Sequence, residues 1–475
     1  MHSGLGLKVL ETYAAQAGEA SHRLHGTAKT WGKSLIPCKN PVMTRMHIAT
    51  SFAAVPVPTS LPFRSFLSFL SFLSFLPFLS GCSRAPAPPH PWLGAATPVA
   101  TPTATGARFP NLASDGQTVV MSWLEPGTGD EFHLSYAEWQ RERRWGSPMA
   151  VAAGKNWFVN WADFPSVVPA NDGPWTAHWL QQKPGGVYAY DVVTRLSADG
   201  GRTWSEPQSP HDDGTATEHG FVSIASLGGR PYGVWLDGRK TRGEGHDHGA
   251  DDHAAAQGAM TLRGAVLTPA GAIDGSEIDA RVCDCCQTDA AVSGAALLVV
   301  YRNRSEDETR DIQAARLEHG VWTTPVTVHA DGWRINACPV NGPAVAARGD
   351  EVAVAWFTAP DQPRVRLAFS VDGGRTFGPP LEVASGKVVG RVDVVLLQDG
   401  RAVVSWLAET ANGAVIRAQP FNHAGAADVA RDIATSNVAR SSGFPQMVQV
   451  ADGLLFAWTE NGSIPAVRTA FATLR

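Results

Sequence analysis

Two eight-residue stretches constrain this chain more than any other feature. They are Ser197-Ala198-Asp199-Gly200-Gly201-Arg202-Thr203-Trp204 and its near-copy Ser370-Val371-Asp372-Gly373-Gly374-Arg375-Thr376-Phe377. Each follows an alternating, strand-like run, at 191–196 and 364–369. An aspartate followed by two glycines supplies the positive backbone dihedrals of a tight hairpin, and the closing aromatic packs back over the turn. The 47 Gly and 33 Pro extend the same signal through the chain, and 44% hydrophobic against 17% charged residues is enough for a large core. The expectation is an all-β protein with many turns.

A longer pattern repeats seven times: an apolar lead-in, a Gly/Asp turn, a β-rich run and a closing aromatic. The aromatics are Trp123, Trp179, Trp235, Tyr301, Trp356, Trp406 and Trp458, at separations of 56, 56, 66, 55, 50 and 52 residues. A period near 50 with this hairpin content predicts a β-propeller of four-stranded blades. The last copy ends after its third strand, so a segment near Val99–Thr105 is expected to supply the missing one and close the ring. The octets resemble Asp boxes, the turns that recur in sialidases and other BNR-repeat β-propellers. Seven repeats are counted over residues 107–475, with the six-bladed sialidase ring as the alternative.

The start of the chain has a different character. Residues 1–45 show no repeat and read as an extension or a mis-assigned start. Residues 46–81 read as a signal segment: Arg64, an apolar run over 65–79 and the small residues Ser80 and Gly81. Leu79-Ser80-Gly81-Cys82 resembles the bacterial lipobox, which makes Cys82 the acylated residue and, with Ser83 after it, directs the protein to the outer membrane. A retained membrane helix competes with this, but the run is short for a span. The Pro/Ala/Thr-rich residues 82–106 read as a tether. A net charge of −5 gives no basic footprint for nucleic acid, and nothing in the sequence sets an oligomeric state.

In a four-stranded meander the Asp boxes close the third and fourth strands on one face, where their role is structural. Functional residues are expected on the other face, ahead of the innermost strands or after the aromatic-ended second strands. Arg108-Phe109-Pro110 resembles the core of the sialidase F-R-I-P motif, whose arginine opens a three-arginine cluster that grips a carboxylate. Arg302, Arg391 and Arg440 occupy further positions on that face. The resemblance implies an exo-α-sialidase-like glycoside hydrolase acting on an acidic glycan or another anionic ligand, with Asp130 or Glu125 as acid/base. The late tyrosine that sialidases use as nucleophile has no counterpart, since no Tyr follows Tyr301.

That departure keeps two other functions open: a non-catalytic propeller binding glycan or protein, and a metal or redox protein. Cys283, Cys285 and Cys286 precede the fourth inner strand and Cys338 precedes the fifth, so adjacent crossings bring four thiols to one rim. In an oxidising compartment the simplest expectation is two disulfides, one joining Cys338 to the C-x-C-C segment, with no cofactor. The alternative is zinc or copper(I), helped by the loop Gly245-His246-Asp247-His248-Gly249-Ala250-Asp251-Asp252-His253. The polar run 301–311, with Arg302 and Arg304, reads either as a self-neutralising network or as an anion site.

Overall fold

The computed structural model describes residues 91–241 and 258–475. Residues 1–45, the signal segment 46–81, Cys82 and the histidine loop 246–253 lie outside the described residues. Among the described residues no helix is long and apolar enough to cross a membrane.

Seven antiparallel sheets follow one another around a ring. Their innermost strands are Arg108–Ser114, Ser166–Val168, His219–Leu227, Asp289–Ser293, Ala344–Arg348, Val388–Leu396 and Gln446–Val450. The second strand of each blade is covered by blades on both sides and is buried almost throughout; Ala296–Arg302 is buried at every residue. The repeating aromatics end these strands and pack between blades, with Trp123 and Trp356 almost wholly buried. Tyr301 takes the same place, its hydroxyl donating to Asp279 Oδ2 at 2.6 Å.

Ring closure uses the amino-terminal end of the propeller, through a strand that shares only Val99 with the stretch the sequence suggested. Thr97–Val99 pairs with Ala466–Thr473 as the outer strand of the seventh blade, with Val99 opposite Thr469. Trp92 and Leu93 are buried beside it. Part of the stretch expected to be tether is therefore built into the ring. Blade two departs the other way: it has three strands, and only an isolated pairing of Thr194 with Gln208 marks its outer position.

The two octets form the same turn. In each, the serine hydroxyl (Ser197, Ser370) accepts the N–H of the second glycine and donates to the aspartate. The aspartate in turn accepts the backbone N–H and hydroxyl of Thr203 or Thr376. Gly201 and Gly374 sit at φ +83° and +85° with a neighbouring blade pressed against them, so a Cβ would meet the Tyr136 hydroxyl or the Leu298 side chain.

Strand register aligns the seven inner strands. Asn111, Ser166, Ser223, Asp289, Ala344, Asp393 and Gln446 each lie opposite the residue before the blade's aromatic. They line a central cavity of about 370 Å³. Side chains sew neighbouring blades together here. Asp163 accepts the N–H of Phe221 at 2.8 Å, Asp289 that of Val345 at 2.7 Å and Asp393 that of Met447 at 2.6 Å. The Ser223 and Thr288 hydroxyls pair at 2.7 Å, Asn341 Oδ1 accepts the Arg391 N–H at 2.7 Å, and Thr459 Oγ1 accepts the Phe109 N–H at 2.9 Å. With the Val167 N–H donating to Ser122 Oγ at 3.2 Å, each of the seven joints is bridged by residues far apart in sequence.

Candidate functional site

The expected arginine cluster does not form a gripping fork. Arg302 is 2% exposed and donates to three backbone carbonyls: Asn341 (3.1 and 2.8 Å), Arg310 (2.7 Å) and Phe357 (2.6 Å). That uses four of its five N–H groups, and the guanidinium lies against the Trp333 ring. Arg391 is 4% exposed and donates to Ser442 Oγ and to the carbonyls of Gly443 and Ala439, close to the stacked rings of Trp161 and Phe444. Burial, then the nearby charge of Arg440, lowers its pKa to about 10. Register explains the placement. Arg391 sits at a bulge with φ +52°, matching Phe109 and Phe221 at φ +53°, and Gly390 is the true counterpart of Arg108. Arg108 itself is half-buried, its Nε donating to the Gly106 carbonyl at 3.3 Å, and Arg440 is exposed on the short 3-10 helix Arg440–Ser442.

The two acid/base candidates have structural partners. Asp130 is exposed and pairs with Lys155 at 2.9 Å; the hydrogen bond to that lysine lowers its pKa, whereas an acid catalyst needs the opposite shift. Glu125 is half-buried and accepts the Trp123 indole N–H.

A tyrosine–glutamate pair does exist, at a place the sequence search passed over. The Tyr190 hydroxyl lies 2.6 Å from Glu218 Oε1 and 3.0 Å from Asp163 Oδ2. One hydroxyl proton cannot serve two carboxylates, so a second proton resides on the trio. Burial raises Asp163 to about 7 and holds Glu218 well above its ordinary value. Tyr190 is fully buried and stacked on Phe158 at 4.0 Å, which shields it from any substrate. The signal was Asp163 and Glu218, each just ahead of an inner strand.

The cysteines carry the densest chemistry. Cys283 follows the outer strand of blade three, Gly271–Val282, and its N–H bonds to the Arg302 carbonyl at 3.0 Å. The next three residues turn tightly, which places the sulfurs of Cys283, Cys285 and Cys286 within 4.8 Å of one another. All three are buried, and among the described residues no disulfide joins them to one another or to Cys338. Cys283 and Cys286 lie 3.3 Å apart and Cys283 and Cys285 4.0 Å, against about 2.05 Å for a disulfide. The expected disulfides are absent from the structure.

Around this turn the polar run 301–311 folds inward. Arg304 pairs with Asp284 at 2.6 Å and with Glu308, Arg310 pairs with Glu308 at 2.7 Å, and Arg310 Nη1 donates to Cys283 Sγ at 3.1 Å. The run is thus neutralised largely by its own and adjacent carboxylates, and Arg310 also reaches a sulfur. Burial pushes the Cys283 thiol up, but donation from Cys285 and Cys286 together with Arg310 and Arg302 outweighs it and brings the pKa well below the ordinary value. Burial holds Cys285 and Cys286 above theirs. Cys338 is half-exposed and hydrogen-bonds to Cys285 from the crossing into blade five.

A second cluster lies between blades two and three. His211 and His219 stack at 3.9 Å among Asp191, Asp213 and Asp237. Lys183 and Arg239 already pair with these carboxylates. Neither histidine was singled out from sequence, which offered only isolated imidazoles in a loop and at a strand start.

No family model matches the chain, and no curated protein matches it. Among solved structures, a protein of unknown function from Dyadobacter fermentans superposes with a TM-score of 0.50 at 15% identity, over 81% of this chain and 100% of that one. A leech intramolecular trans-sialidase gives 0.44 at 10% identity, over 80% and 91%. The β-propeller domain of the Trilobed protease from Pyrococcus furiosus gives 0.42 at 9% identity, over 76% and 95%. These similarities concern the fold alone: the chain is an all-β, seven-bladed propeller.

Proposed function

We propose that this propeller binds a thiophilic metal ion, copper(I) or zinc, on Cys283, Cys285 and Cys286. The observation that carries this is the packing of three free, buried sulfurs within 4.8 Å of one another in a single turn. A metal–sulfur bond of about 2.3 Å in tetrahedral geometry sets sulfurs roughly 3.8 Å apart, and the observed 3.3 and 4.0 Å bracket that spacing. The surrounding groups suit a cluster of modest negative charge. Arg304 and Arg310 pair with Asp284 and Glu308, Arg310 also donates to Cys283 Sγ, and the nearby charge of Arg302 acts on the same sulfur, so positive charge is at hand to balance an ion held by thiolates. With the lipoprotein start expected from sequence, the site would lie in the cell envelope on a protein anchored through Cys82.

An exo-glycosidase of the sialidase type finds less support, because Arg302 and Arg391 are locked onto backbone carbonyls. The test compares the full chain with Cys286→Ser after anaerobic loading and desalting. One equivalent of copper or zinc in the wild type, lost in the variant, is expected; equal metal in both rejects the site. Turnover of a fluorogenic sialoside, abolished by Arg108→Ala, would instead restore the glycosidase.

A further inference from the structure

We infer that Cys338 is the exchange ligand of this site, the sulfur through which the metal ion passes between the buried turn and a thiol-bearing partner. This rests on the metal-binding function proposed above. Three sulfurs from one turn are 1%, 6% and 2% exposed and have no direct route to a partner's donor atoms. The fourth comes from a different crossing, is half-exposed, and contacts Cys285. Of the four cysteines of the group it is the one that is only partly buried, and it packs against the cluster.

The crossing that bears it is held in place by the residues that frame the cluster. Arg310 N–H bonds to the Trp333 carbonyl at 2.8 Å, Ile335 N–H to the Glu308 carbonyl at 3.1 Å, and Arg302 grips the Asn341 carbonyl. Between these ties, Val340 sits at φ +46°. A β-branched residue in the left-handed region is strained, and such strain persists only where the surroundings impose it. Here it falls two residues after Cys338, in the crossing whose cysteine contacts Cys285.

Three sulfurs complete a trigonal site for copper(I), and they leave one tetrahedral position on zinc. In either case Cys338 is not needed to hold the ion but is placed to enter its coordination shell. Transfer then runs by ligand exchange. Cys338 sulfur bonds to the metal as one buried sulfur leaves, partner thiols then displace the two remaining buried sulfurs and finally Cys338, and the ion departs on the partner's sulfurs without change of oxidation state. Each incoming thiol gives up its proton as it binds and each departing thiolate takes one up, so charge and atoms balance. The partner's chemistry follows: a protein or small molecule presenting thiolate donors.

The full chain, loaded anaerobically, is challenged with bicinchoninate for copper(I) and with 4-(2-pyridylazo)resorcinol for zinc; the arm that shows tight binding identifies the ion. Wild type that binds neither overturns the metal site itself, before any variant is examined. With binding established, Cys338→Ser is expected to keep the wild-type affinity within about threefold while slowing extraction at least about tenfold. An affinity loss as large as that of Cys286→Ser would show a closed four-sulfur structural site and overturn the exchange role. Unchanged affinity and unchanged rate would overturn it as well. Val340→Gly, which removes the strain without touching a sulfur, is expected to slow extraction in the same direction.

Discussion

Two sets of aspartates do opposite things in this ring. Asp199 and Asp372 close turns at the outer face, where hydroxyl and backbone donors within four residues stabilise the carboxylate and lower its pKa to about 2. Asp163, Asp289 and Asp393 line the inner face, each accepting an N–H from the next blade, and burial raises them to about 7, 6 and 7. The side chain is the same in both sets; what differs is whether its partners are local. Local partners write a motif into the sequence, whereas partners more than fifty residues away leave a lone Asp among many.

The comparison is sharpest in stability. Asp393→Ala removes the acceptor for two backbone N–H groups at the joint of blades six and seven, and a loss of about 2–3 kcal/mol is expected by chemical denaturation. Asp372→Ala is expected to cost clearly less, since its exposed donors turn to water; equal losses would erase the distinction. A pH series gives the next largest effect. The folded ring holds the protons of the inner set more tightly than the unfolded chain, so stability falls as pH rises from about 4 through about 7. Thermal midpoints at pH 5 and pH 8 read this directly, and replacing Asp163 and Asp289 by Asn should flatten the trend. The outer set works in reverse: its contribution is present above pH 4 and is lost as pH falls towards 2. Asp199→Asn is expected to give the smallest change, confined to that acid limb.

The same distinction decides what could be read from the chain. Seven blades were legible because each aromatic and both octets are local signals, repeated. The three-stranded blade two was not, because the pairing of Thr194 with Gln208 leaves no mark in residue type. The cysteines were legible as a group, since adjacent crossings must meet on one rim. Their state was not, because thiol separation depends on how one turn packs against Arg310 and Asp284. Arg302 and Arg391 were misjudged for a related reason: their acceptors are carbonyls contributed by other crossings. Tyr190 escaped notice because its partners lie 27 and 28 residues away on either side.

The most direct test of the thiolate site is X-ray absorption at the metal edge of the loaded full chain. Three sulfur scatterers at about 2.3 Å are predicted. A shell of nitrogen and oxygen alone would contradict the assignment and move the search to His211, His219 and their aspartates.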